Sequence, residues 1–229
     1  MALRFPPQYG TNDDDILTGG QDQLTFGLRG DDVINSESFT DFNIQLGGPG
    51  GDTYRLANNA ATTILDTGGE DRLIARGIGL NSDSSFAATY NGSLIAGDTV
   101  SGQQVVIVDW LNPANLIEEI TLRDGDFTLD VIKNSLDSSP GFLGEVSLTE
   151  LINQGFLPSG TTNAELESDA AYIKSQEQAR LQEAQPSSGA GIREDIVELY
   201  VGLLGRAPNQ EGLDFWVGGY QGQIDAGVD

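Results

Sequence analysis

Asp15, Asp32, Asp52 and Asp71 recur at separations of 17, 20 and 19 residues, each within a glycine-bearing stretch. The fullest stretch, "GGPGGDTYR" at 47–55, matches the nonapeptide G-G-x-G-x-D-x-U-x at every defined position, with Tyr54 as the large apolar U. "GLRGDDVIN" (27–35) keeps Gly27, Gly30, Asp32 and Ile34. "GTNDDDILT" (10–18) keeps Gly10, Asp15 and Leu17, with Asp13 in place of a glycine, and "DTGGEDRLI" (66–74) keeps Gly69, Asp71 and Leu73. Glycine permits the tight or left-handed backbone that lets carbonyls converge, and an aspartate adds charge. Carbonyls and carboxylates together make a hard oxygen cage, which suits Ca²⁺ better than a soft metal. The candidate metal residues are therefore Gly10, Asp13, Asp15, Gly27, Gly30, Asp32, Gly48, Gly50, Asp52, Gly69 and Asp71.

The spacing predicts which elements must hold them. In a parallel β-roll each nonapeptide is a turn followed by a short strand, and two nonapeptides close one coil, so turns on one edge recur about every 18 residues. Asp15, Asp32, Asp52 and Asp71 are then expected to stack along one edge, with Leu17, Ile34, Tyr54 and Leu73 pointing inward. The degenerate copies "GGQDQLTF" (19–26) and "SESFTDFNI" (36–44) place Asp22 and Asp41 on the opposite edge, which departs most from the pattern. A metal-free solenoid, or plain Gly/Asp hairpin turns, is the alternative reading of the same residues.

On these motifs, residues 10–74 resemble the haemolysin-type calcium-binding repeats of RTX proteins. The order V-x-I-x-D-W, then I-E-E-I-T-L-R-D-G, over 105–125 resembles the segment that follows and caps such repeats. The resemblance implies a mainly β fold: a parallel β-roll (RTX-type solenoid) at 1–75 and a β-rich capping segment at 76–160. It further implies a secreted bacterial protein, extracellular or at the cell surface, exported through a type I secretion apparatus and folding on extracellular calcium. A surface-layer, polysaccharide or other extracellular protein partner belongs to the same expectation.

Beyond the repeats, "QQVVIVDWL" (103–111) reads as a strand covered on both faces, with Trp110 in the core. "LIEEITLRDGDFTLDVI" (116–132) reads as strand, D-G turn, then strand or short helix, and "SLTELINQGFLP" (147–158) as a short amphipathic helix. Residues 161–191 read as a helical spacer, with a coiled-coil partner helix as the alternative, opened by a Thr162/Glu165 capping box and carrying a thin apolar stripe of Leu166, Ala170, Ile173 and Leu181. At 192–229 the string L-Y-x-x-L-L-G-R-x-P-x-x-x-G-x-x-x-W resembles part of a small α-helical domain of secreted and surface-layer bacterial proteins. Arg206 there is expected to tie a helix end to neighbouring carbonyls.

Composition narrows the function classes. Lys plus Arg total 11 against 35 Asp plus Glu, a formal charge of −24, which repels nucleic acid and anionic membranes and attracts cations. With no Cys and no His, the chain has no zinc site built on those residues, no Ser-His triad and no disulfide. "MALRFPPQYG" lacks the apolar run of a signal peptide, and no stretch is apolar enough to insert in a membrane. Asp109, Glu118 and Glu119 form no separable acid/base pair, so no enzyme is expected. The alternative is a calcium-stabilised accessory domain of a secreted glycan-active or lipase-like hydrolase whose catalytic part lies elsewhere. At ~1 mM calcium and a Kd of ~10⁻⁴–10⁻³ M, each site contributes on the order of 0.4–1.4 kcal/mol. Three or four coupled sites would then give ~1–6 kcal/mol, comparable to the stability of a small domain.

Overall fold

The computed structural model describes residues 6–37, 42–139, 141–153, 157 and 159–183. The chain divides into two units, Met1–Glu177 and Gln178–Asp229, and every described strand belongs to the first. The helical segment expected at 192–229, with Arg206, lies outside the described residues.

Eight short strands open the chain: β1 (Pro7–Tyr9), β2 (Ile16–Gly19), β3 (Leu24–Phe26), β4 (Val33–Ser36), β5 (Phe42–Leu46), β6 (Thr53–Leu56), β7 (Ala61–Ile64) and β8 (Arg72–Ile74). Odd-numbered strands pair in parallel with one another, and so do even-numbered ones, so the chain changes sheet at every turn. β9 (Ser85–Tyr90), β10 (Ser93–Asp98) and β11 (Gln104–Ile107) then join the first sheet, and β12 (Glu119–Leu122) and β13 (Gly125–Thr128) the second. α1 (Leu129–Leu136), β14 (Phe142–Glu145), α2 (Leu148–Asn153) and α3 (Asn163–Glu183) follow. The sheets have 8 strands (β1-β3-β5-β7-β11-β10-β9-β14) and 6 strands (β13-β12-β8-β6-β4-β2).

This corrects the expected fold class. A parallel β-roll with a separate β-rich cap is replaced by two mixed sheets running through both segments. β11 pairs in parallel with β7 but antiparallel with β10, and β12 pairs in parallel with β8 but antiparallel with β13. The physical reason is the open edge. β7 and β8 would present unpaired backbone groups, and strands of the following segment satisfy them directly, so that segment becomes part of the sheets.

Side-chain alternation sets the interior. Register aligns Leu17, Ile34, Tyr54, Leu73 and Ile120 across β2, β4, β6, β8 and β12, and all five are buried in the principal apolar cluster. From the facing sheet Ile64, Ile107 and Leu94 join them in one register row, and Trp110 is buried in the same cluster, as expected. The strand expected over 103–111 is shorter, Gln104–Ile107 with a turn after it, but covered on both sides as expected: Val105 and Ile107 face this cluster, while Val106 packs with Ala88, Ile95 and Leu151 of α2.

The interior is polar where the first sheet passes through β3, β5 and β7. Thr25 is in register with Gln45, and Asn43 with Thr62, on the same face as Ile64 and Val105. All four polar residues are buried, and the Thr25 and Thr62 hydroxyls and both side-chain amides lack hydrogen-bond partners. Gly19 makes room for them: a Cβ there would sit 3.0 Å from Gln45 Nε2 and 3.2 Å from Thr25 Oγ1. Each unpartnered buried group costs roughly 1–3 kcal/mol, whereas an apolar group of the same shape avoids that penalty. Thr62→Val is therefore expected to raise the unfolding free energy by about 1 kcal/mol, read as a higher urea midpoint at unchanged slope. A lower midpoint would show that the hydroxyl is hydrogen-bonded in solution.

Candidate metal centre

Parallel register places each turn's aspartate directly over the one before. The Asp15 backbone N–H donates to Asp32 Oδ1 (2.8 Å), that of Asp32 to Asp52 Oδ1 (2.8 Å), and that of Asp52 to Asp71 Oδ1 (2.7 Å). The ladder ends on a glutamate, since the Asp71 N–H donates to Glu118 Oε2 (2.8 Å). Glu118 precedes β12 as Asp71 precedes β8, so it occupies the aspartate's place in the next turn although 47 residues away. An outer row runs alongside, with the Asp31 N–H donating to Asp14 Oδ1 (2.9 Å) and the Gly51 N–H to Asp31 Oδ1 (2.8 Å).

The second carboxylate oxygens behave differently. Asp32, Asp52 and Asp71 are each 1% exposed, and the Oδ2 atom of each has no hydrogen-bond partner. In the first turn, by contrast, Asp15 Oδ2 accepts from the Thr11 N–H (2.6 Å) and the Thr11 hydroxyl (2.8 Å), so that turn closes on itself. The glycines make the close approach possible. A Cβ at Gly27 would overlap Asp32 Oδ2, and one at Gly47 would overlap Asp52 Oδ2. At Gly48, Gly50 and Gly69 it would strike the carbonyls of Leu28, Gly30 and Gly50, each in the turn before. Gly30 and Gly48 have φ of +101° and +100°, a region L-residues rarely adopt, and Leu28 is held at φ 86° in the place corresponding to Gly48.

The fourth turn carries an extra acid. Asp66 stands where the second and third turns have Gly27 and Gly47, and its carboxylate joins those of Asp52 and Asp71, with one oxygen from each within 4.8 Å of the others. All three residues are buried. Tyr54, expected only as core, also reaches this group: its hydroxyl donates to Asp66 Oδ1 (2.7 Å) and accepts from the Gly47 N–H (2.7 Å). The Gly68 N–H donates to Asp66 Oδ2 (2.8 Å). On α3, Glu177 is 3% exposed and accepts from the Thr67 hydroxyl (3.3 Å).

Of the residues expected from the motif, Asp52 and Asp71 belong to the three-carboxylate group, and Asp32 stacks on it through the Asp52 hydrogen bond. Gly27, Gly30, Gly48, Gly50 and Gly69 shape the turns, and Gly10 lies against Asp15 Oδ2 and the Gly27 carbonyl. Asp13 is exposed, with its backbone against Gly30, and like Asp15 it stays outside the group. On the opposite edge Asp22 is exposed, and Asp41 lies outside the described residues. Sequence reasoning missed Asp66, Glu118, Glu177 and the outer pair Asp14 and Asp31. Asp66 was legible as a carboxylate at the first position of a nonapeptide.

Burial is the dominant influence on these acids. It pushes Asp32 up to about 6, Asp52 to about 8 and Asp71 to about 9, with backbone N–H donors opposing and neighbouring carboxylates adding to the rise. Asp66 is raised by burial too, and so is Glu177, to about 7. The arrangement therefore accepts either protons or a cation in their place. No family model matches this chain, and no curated protein is similar enough to stand as a relative.

A carboxyl whose folded-state pKa is raised stabilises the fold fully below its unfolded value, and that stability is lost as pH rises through the folded value. Metal-free protein is thus expected to lose stability between about pH 4 and pH 9, the reverse of a protein held by ionised salt bridges. Urea midpoints in EGTA at pH 5 and pH 8.5 check this. A higher midpoint at pH 8.5 would contradict it.

Proposed function

We propose that this protein is a calcium-binding structural or adhesive module that acts outside the cell and carries no catalytic chemistry of its own. The observation that carries the reading is the set of three buried, unpartnered carboxylate oxygens on Asp32, Asp52 and Asp71, stacked along glycine turns. Such oxygens need positive charge, and the chain supplies little, since Lys and Arg together number 11 against 35 acids. The donors on this edge are carboxylates and main-chain carbonyls, a hard set that favours Ca²⁺ or Mg²⁺ over Zn²⁺ or copper. Calcium suits it better than magnesium, because Ca²⁺ accepts many carbonyl and carboxylate oxygens in flexible geometry, while Mg²⁺ demands a near-ideal octahedron and keeps its waters.

Asp52, Asp66 and Asp71 would hold one ion, and Asp32 with Asp52 a second in the stack above it. Bound there, calcium supplies the positive charge that lets the carboxylates ionise while buried, so ion binding and folding of the turns are one equilibrium. The repeat resemblance supports a secreted, surface-associated setting and export by a type I apparatus. It also supports a surface-layer or polysaccharide partner.

The test is a titration of EGTA-stripped protein, following far-UV circular dichroism and thermal midpoint, with magnesium as control. Terbium adds a local readout, because Tyr54 lies beside Asp66 and can sensitise its emission. Calcium is expected to raise the β-signal and the midpoint cooperatively near millimolar concentration, with magnesium inactive. Asp52→Asn should weaken terbium binding about tenfold or more, equivalent to ~1.4 kcal/mol, and Asp13→Asn should leave it unchanged. A spectrum and midpoint indifferent to calcium would end this reading.

A further inference from the structure

We infer that α3 is a cation-dependent latch, closed on the acidic fourth turn through Glu177. This inference rests on the calcium reading above and concerns how that same site is regulated. α3 begins at a capping box, in which the Glu165 N–H donates to Thr162 Oγ1 (3.3 Å) and the Thr162 N–H to Glu165 Oε2 (3.0 Å). Within the first unit its inward face follows the helical period through Leu166, Ala170, Ile173 and Glu177. Three of these four positions are apolar, and Glu177 is a carboxylate. Ile173 and Glu177 are the buried residues among those described on the helix, each 3% exposed.

An acid in that stripe would ordinarily be excluded, because burying an unpaired carboxylate opposes docking. Here it is brought to a place that already holds negative charge. Glu177 accepts from the Thr67 hydroxyl (3.3 Å), and Thr67 adjoins Asp66, a member of the Asp52, Asp66 and Asp71 group. Lys174, one turn earlier on α3, is the cation that acts on Glu177, yet among the described residues no Lys or Arg forms an ion pair with it. Within the group, Asp52 Oδ2 and Asp71 Oδ2 are buried and have no hydrogen-bond partner, which points to a ligand there. A divalent cation among these oxygens gives the docked Glu177 carboxylate an opposite charge to face, where the metal-free group offers only acids. Docking of α3 and cation binding then favour each other, and by thermodynamic linkage the coupling is equal in both directions.

The experiment is hydrogen exchange of the full chain, reading amides of 163–183 in EGTA and in calcium, with Tyr54-sensitised terbium emission as a separate measure of site occupancy. In the native sequence calcium is expected to slow exchange in α3 at least tenfold. In Glu177→Gln, which keeps size and an acceptor for Thr67 but removes the charge, α3 should already be protected in EGTA. Calcium should then change its exchange less than twofold. Glu177→Lys supplies a fixed cation and should both protect α3 in EGTA and weaken terbium binding at least tenfold. Terbium binding with α3 exchange unchanged by calcium in the native chain would overturn the latch and leave the metal site standing. So would an unaltered calcium response in both variants. Failure of terbium to bind the native chain at all would remove the site itself, and the latch with it.

Discussion

Asp32, Asp52 and Asp71 each give one oxygen to the backbone of the preceding turn and keep the other buried without a partner. The first oxygen builds the fold, because it receives a backbone N–H that would otherwise be orphaned between two strands. The second leaves an electrostatic demand that grows with each added turn, since like charges accumulate along one edge. Burial raises the acids from about 6 at Asp32 to about 9 at Asp71, so the demand is largest at the end nearest β12. The hydrogen bonds that stack the turns are thus the same groups that require a proton or a cation.

Both ends of the ladder show how the chain closes it. At the start, Thr11 occupies Asp15 Oδ2 from within its own turn. At the other end, Glu118 gives Asp71 the acceptor that a further repeat would have supplied. Glu118 leads into β12, which pairs in parallel with β8 after β9, β10 and β11 have joined the other sheet. Glycine has the complementary duty of removing side chains where one turn lies on the next, as at Gly48 and Gly50, where a Cβ would meet a carbonyl.

Local features of the fold were legible because they depend on neighbours in sequence. The inward row Leu17, Ile34, Tyr54 and Leu73 follows from the nonapeptide period, and the capping box at Thr162 and Glu165 from residues three apart. The mixed sheets were not legible, since pairing of β7 with β11 and β8 with β12 joins segments 43 and 47 residues apart whose alternation fits many partners. Half of the candidate site was readable for the same reason. Asp52 and Asp71 obey the motif, whereas Asp66 violates it, and Glu177 looks from sequence like any solvated acid on a polar helix. A residue that breaks a repeat is harder to read than one that keeps it, because its role depends on what the altered turn faces.

The interior also changes character along the molecule, and this bears on why the acidic edge matters where it does. Around β8 to β13 and α1 the core is aliphatic and aromatic, with Leu73, Ile107, Trp110, Ile120, Ile132 and Leu136 together. Burial of each such side chain favours folding by ~1.5–3 kcal/mol, so this region has ample driving force of its own. Between β2 and β5 the positions facing that interior are Gly19, Thr25, Asn43 and Gln45, the last three with unpartnered polar atoms, while Leu24, Phe26, Ile44 and Leu46 are buried on the other face of β3 and β5. On the face toward the other sheet these strands therefore gain little from apolar packing, and the backbone ladder along their edge joins one turn to the next. That ladder needs its carboxylates neutralised, and the need rises toward Asp71, so what occupies the acidic turns acts most strongly where the ladder meets the aliphatic region.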